Sequence, residues 1–161
     1  MSSVLIQVAD ALVDTLNAMT WSGTTYEAQL SFAAAYDEEL SSGDEEAIQI
    51  DVIVPEEFDD VSLDTRGTIK RVATFDVVIR RKFRQQDNDA ASGAIDPDQI
   101  KELIELGEKL SKAATFARMA DAADAAWTDS DHNPIYRRDH LRQLRQFTGV
   151  VAITFEIESD L

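Results

Sequence analysis

The chain reads as an α+β domain: a two-layer sandwich with a mainly antiparallel four-stranded sheet, in the order helix-strand-strand-strand-helix-strand, packed by two helices on one face. Three observations predict it. An apolar stripe at spacings of three and four opens the chain. Four later stretches alternate apolar and polar residues. A second stretch of helical periodicity separates the third of these from the fourth. At 161 residues a single domain, 1–161, is expected. Consecutive strands on short links favour antiparallel pairing, and two amphipathic helices must bury their stripes against the sheet.

Each element has its own signal. Ser2-Ser3 can cap a first helix, whose stripe is Leu5, Val8, Ala9, Leu12, Leu16 and Met19, ending near Trp21-Ser22-Gly23. Ala28, Leu30, Phe32, Ala34 and Tyr36 alternate with polar or small residues, so they predict a strand with one buried face. Asp37 to Glu46 is an acidic turn region. Ile48, Ile50, Val52 and Val54 form the second strand, closed by Pro55. Glu56 to Gly67 is polar and acidic and is expected to be a loop. From Arg66 to about Phe83 runs the longest strand signal, with Ala73, Phe75, Val77 and Ile79 on one face.

Gln85 to Asp96 lacks periodic apolar residues and reads as a loop. Asp96-Pro97 opens a helix, proline suiting its first turn. Ile100, Leu103, Ile104, Gly107 and Leu110 face inward, and the helix is expected to reach Met119. Ala120 to Ala126 has no clear apolar face, and its state stays open. Asp129 to Pro134 is expected to be a loop. Arg137 to Arg145 reads as a short helix, and Phe147, Gly149, Val151, Ile153, Phe155 and Ile157 form the last strand.

Composition narrows the function classes. The chain has no cysteine, so disulfide frameworks and thiolate chemistry are excluded. No apolar run approaches the roughly 18 residues of a membrane span, and Asp10 and Asp14 sit where a signal peptide would be basic and then apolar. The net charge of −16 is unevenly spread. The first 65 residues hold 15 carboxylates and no lysine or arginine, whereas the rest hold 15 cations and 16 carboxylates. Copies of such a chain can attract one another head to tail, and duplex DNA is repelled by the acidic part.

The motifs for catalysis are missing. Asp129-Ser130-Asp131-His132-Asn133 begins like a calcium loop, but Pro134 stands where glycine is needed and His140 where a bidentate glutamate is needed. Asp87-Asn88-Asp89 fails likewise, with Ala91 and Ser92 following. His132 and His140 have no zinc spacing and read as exposed surface histidines. No nucleophile elbow and no glycine-rich phosphate loop occurs. The paired carboxylates Glu38-Glu39, Glu45-Glu46, Glu56-Glu57 and Asp59-Asp60 lie in expected loops, not in a cleft of the kind glycosidases need. No metal, cofactor or catalytic residue is expected.

The cations gather in two places. Arg80, Arg81, Lys82 and Arg84 close the third strand. Arg138, Arg142 and Arg145 share a helical face at i, i+4, i+7. Contact with the acidic region of a neighbouring copy is preferred to DNA contact, because the complementary charges are on the same chain.

Taken together, Val8-Ala9-Asp10-Ala11-Leu12-Val13, Gln29-Leu30-Ser31-Phe32 through Tyr36-Asp37, Ile50-Asp51-Val52-Ile53-Val54-Pro55, Thr74-Phe75-Asp76-Val77-Val78-Ile79, and above all the run from Asp139 to Val151 resemble the tail-terminator (tail-completion) family of long-tailed bacteriophages. The similarity covers nearly the full length; the stretches Asp87 to Gly93 and around Ala120 match no pattern. The resemblance implies a hexameric ring, without an active site, at the head-proximal end of the tail tube. Such a ring stops tube polymerisation and offers the docking surface for the head. The partners it implies are copies of the chain, a tail-tube protein and a head-closure or neck protein, in a virion assembled in the host cytoplasm; DNA passes through unbound and no membrane is involved. In this reading Arg80, Arg81, Lys82, Arg84, Arg138, Arg142 and Arg145 serve subunit or partner contacts. Glu38, Glu39, Glu45, Glu46, Glu56, Glu57, Asp59 and Asp60 form an acidic channel lining or docking loops. The alternatives are another neck or tail component, or an acidic DNA mimic that inhibits a nucleic-acid enzyme.

Overall fold

The computed structural model of the chain describes residues 3–33, 40, 47–65, 67–83, 95–115, 118–119 and 124–160. It is an α+β structure organised around two adjacent 15-residue strands. In chain order the elements are α1 (Val4–Asn17), β1 (Tyr26–Ser31), β2 (Ile48–Ile53), β3 (Asp60–Thr65), β4 (Thr68–Lys82), α2 (Pro97–Ala114), β5 (Arg118–Met119), β6 (Ala125–His132), α3 (Arg138–Gln143) and β7 (Gln146–Asp160).

The sheet is mixed and has seven strands, not the expected antiparallel four. Its order is β1-β2-β4-β7-β6-β5, with β3 also on β4. The registers show how β4 holds two partners on one edge: β3 pairs with Thr68–Val72 and β2 with Asp76–Arg81, while β7 takes the whole opposite edge. β1 and β2 run parallel, Tyr26 beside Ile48 through Ser31 beside Ile53. The link 32–47 is long enough for the crossover that parallel strands need, so the short-link argument for antiparallel pairing does not apply there.

Period two decides the layers. Ala73, Phe75, Val77 and Ile79 of β4, with Phe147, Val151, Ile153, Phe155 and Ile157 of β7, point to one face and are buried. α1 and α2 cover that face. Val8, Ala9, Leu12 and Leu16 of α1 and Leu103, Leu106 and Leu110 of α2 all join the same core. α2 is capped as its sequence predicts: the Asp96 side chain accepts from the Asp98 amide, 2.9 Å, and Pro97 is the first helical residue. Ser3 stands at the N-cap of α1 but makes no side-chain cap bond.

Other boundaries differ from expectation for local reasons. β1 stops at Ser31, whose hydroxyl accepts from the Ala33 amide, 3.3 Å, and turns the chain. Phe32, expected on a buried face, is therefore 75% exposed; Ala34 and Tyr36 lie outside the described residues. The expected loop Glu56–Gly67 contains β3, closed into a hairpin with β4 at Gly67 (φ +96). α2 ends at Ala114 instead of Met119, because Thr115 turns extended and its hydroxyl donates to the Ser111 carbonyl at 2.7 Å. Arg118-Met119 belong to β5. The expected loop at Asp129–Pro134 is mostly β6, which pairs with β5 through Ala125 and Ala126 and has a register shift against β7 between Trp127 and Asp129; the open stretch Ala120–Ala126 ends in β6 with Ala125 and Ala126. The loop expected at Gln85–Asp96 lies mainly outside the described residues.

Candidate interaction surface

The reverse face of the sheet carries a third helix. The segment after β6 crosses the sheet edge: Asn133 N–H donates to the Val150 carbonyl (3.1 Å), Val150 N–H to the Pro134 carbonyl (2.9 Å), and Arg137 N–H to the Thr148 carbonyl (2.9 Å). These bonds lay α3 on the face opposite α1 and α2. His140, expected at the surface, is 6% exposed, with Nδ1 2.7 Å from the Thr148 hydroxyl. Gln146 Nε2 donates to the same hydroxyl at 3.0 Å. A buried polar group keeps its place only by such pairing, so His140 anchors α3.

The basic residues gather at one end of β4, where β7 begins, but they are not equivalent. Arg80 is buried, and its Nη2 donates to Asp51 Oδ2 at 2.8 Å. Lys82 Nζ donates to the Leu40 carbonyl at 3.4 Å. Arg81 is buried with its guanidinium over the Phe83 ring, 5.3 Å from the centroid, and its Nε has no hydrogen-bond partner. Arg138 and Arg142 are exposed on α3. Arg145 does not continue their helical face: α3 ends at Gln143, and Arg145 takes a positive φ of 53. Its carbonyl accepts from the Phe83 amide, tying the end of β4 to the start of β7. Asp139 is held by Arg137, Nη2 to Oδ2 3.0 Å, which lowers its pKa. Arg84 lies outside the described residues.

Of the acidic candidate residues, those that are described lie toward the other end. Glu56, Glu57, Asp59 and Asp60 are exposed on the approach to β3. Asp59 Oδ2 accepts from the Thr74 hydroxyl at 2.5 Å. Burial, and then the negative charge of Asp59, raise the pKa of Asp76 two residues along the same face. Glu38, Glu39, Glu45 and Glu46 lie outside the described residues.

The strands themselves add two side chains that sequence reasoning passed over. Val61 is 55% and Leu63 73% exposed on β3. Their alternation with Asp60, Ser62 and Asp64 was the available signal. Arg71 lies 5.6 Å from the centroid of the Phe58 ring beside them.

Asp129 and Asp131 are strand residues, and among the described residues no three His, Asp or Glu side chains cluster to hold a metal. A cavity of about 240 Å³ opens between α2 and β7, with walls of Ile79, Leu103, Gly107, Phe147 and Val151, and Ile135 at its side. It is apolar apart from Glu108 and His132, and it holds no nucleophile with a base. No helix among the described residues is long and apolar enough to cross a membrane. No family model and no curated protein matches the chain.

Proposed function

We propose that the chain is a structural subunit of a long-tailed phage: a ring at the head-proximal end of the tail tube that ends tube growth and presents a docking surface for the head. The sequence resemblance motivates this reading. One structural observation supports it: the two ends of a single long strand carry opposite charge, cations around Arg138 and Arg142 and carboxylates around Glu57 and Asp60. Surfaces of that kind act by contact.

The charge fits a conduit for DNA. Six copies at −16 each make a strongly negative ring. Carboxylates facing the channel repel phosphate, so DNA passes without sticking. The arginines then serve contacts between subunits and with the tube and neck proteins.

The test is direct. Purified chain is imaged by negative stain, alone and with tail tubes. Rings with a central hole that cap tube ends, and tubes that stop lengthening, support the reading. Rings that bind only the head connector transfer the chain to the head-closure class. A monomer that displaces DNA from a nucleic-acid enzyme, and leaves tubes uncapped, refutes it in favour of an acidic mimic.

A further inference from the structure

β4 sets the distance between two unlike surfaces. Its 15 residues span about 45 Å at roughly 3.3 Å each. At one end stands the β3–β4 hairpin beside the close of β7. Segments 56–71 and 156–160 together hold eight carboxylates and three cations. Val61 and Leu63, opposite Arg71 and Ile69 in the ladder, continue the core-facing rows of β4 past the buried Ala73. They are an apolar strip with an acidic rim. Large apolar side chains side by side on an exposed strand mark a contact surface more than scattered ones do.

At the other end, segments 79–83 and 135–147 hold seven cations and one carboxylate, Asp139, which is taken by Arg137. Arg80 has Asp51, and Arg81 lies buried over the Phe83 ring. Among the described residues of this end, Arg138 and Arg142 of α3 are the exposed cations.

We infer that the two ends are the halves of one contact between copies of this chain: the acidic, apolar-tipped β3–β4 hairpin of one copy docks on the basic end of the next. Hairpin carboxylates meet Arg138 and Arg142. The contact joins unlike surfaces, so it is heterologous. Docking end on end leaves one hairpin and one basic end of each pair open, so it repeats head to tail, and such repetition closes into a ring when the rotation per copy divides a full turn. The inference rests on the ring reading above and names the surfaces that build the ring.

Native mass spectrometry of the whole chain tests it. Variant one carries Glu57→Lys and Asp60→Lys; variant two carries Arg138→Glu and Arg142→Glu. All four side chains are exposed, so folding, checked by circular dichroism, is expected to persist. Each variant alone is expected to lose rings at least tenfold. A one-to-one mixture is expected to regain them, with equal numbers of both, because each reversed surface then meets its opposite. Rings formed as well by either charge variant alone, or a mixture that stays monomeric while the unaltered chain forms rings, overturn this contact and leave the ring reading standing. An unaltered chain that is monomeric and leaves tail tubes uncapped overturns both.

Discussion

Arg80 and Asp51 meet inside the sheet, Nη2 to Oδ2 at 2.8 Å, with side chains 8% and 4% exposed. They lie on neighbouring strands β4 and β2, one ladder step apart, since Arg80 stands opposite Gln49 and Asp51 opposite Val78. Gln29 on β1 donates to the second carboxylate oxygen at 3.0 Å. The cluster therefore ties three adjacent strands together on the face away from α1 and α2. Taking one partner away strands a buried charge, which costs about 3–5 kcal/mol. Asp51→Ala is expected to destabilise by that order in urea denaturation. Asp51→Leu combined with Arg80→Met, which removes both charges, is expected to recover most of the loss. A double variant as unstable as the single one would show that the pair itself is not what matters.

That pair also shows where reading from sequence stopped. Arg80, Arg81 and Lys82 looked alike as a basic run. Their difference depends on register, which brings Asp51 beside Arg80 and leaves Arg81 on the opposite face. α1, β4, α2 and β7 were legible because each has an uninterrupted stripe that is buried along its length. β3 and β6 were not, because both are polar on much of their surface and lack that stripe. The parallel pairing of β1 with β2 follows a link of 16 residues, 32–47, whose length permits either direction. Of the candidate contact residues, Arg138 and Arg142 were readable from helical spacing. Val61 and Leu63 were hidden by the carboxylates around them.

The two helix starts predict contrasting outcomes. Asp96 accepts from the Asp98 amide, so Asp96→Ala is expected to cost about 1 kcal/mol. Ser3 makes no such bond, so Ser3→Ala is expected to change stability by less than about 0.5 kcal/mol. Chemical denaturation of both variants checks the contrast; equal losses would contradict the cap geometry.

Two glycines on either side of the apolar cavity are expected to respond in opposite directions. A Cβ at Gly149 would stand 2.5 Å from the Ile135 carbonyl oxygen and 3.1 Å from Phe147 Cε1. Backbone cannot yield there without shifting the segment that carries α3, so Gly149→Ala is expected to cost about 1–3 kcal/mol. A Cβ at Gly107 meets Ile79 Cδ1 at 3.4 Å and Val151 Cγ2 at 3.9 Å, near ordinary contact. There the helix preference for alanine, about 1 kcal/mol, decides the sign, and Gly107→Ala is expected to raise the melting temperature. A loss at Gly107 would mean that α2 sits too close to β4 to admit a methyl group.

Asp76 gives the chain a built-in response to pH. Its pKa is raised in the folded state, by burial first and by Asp59 second. A carboxyl shifted this way favours folding in its protonated form. Its stabilising contribution is complete below the unfolded value of about 3.9 and is lost as pH rises through the folded pKa. At pH 7 the charged form therefore weighs against the fold. Asp76→Asn is expected to raise the melting temperature at pH 7, and the gain over the unaltered chain is expected to shrink as pH falls and vanish near pH 3.5. The mechanism names Asp59 as the second cause, so Asp59→Asn is expected to reduce the benefit of Asp76→Asn when the two are combined. Thermal melts of the four proteins across pH 3.5 to 8 measure this directly. A gain that is constant with pH would assign the effect to packing and remove the charge from the explanation.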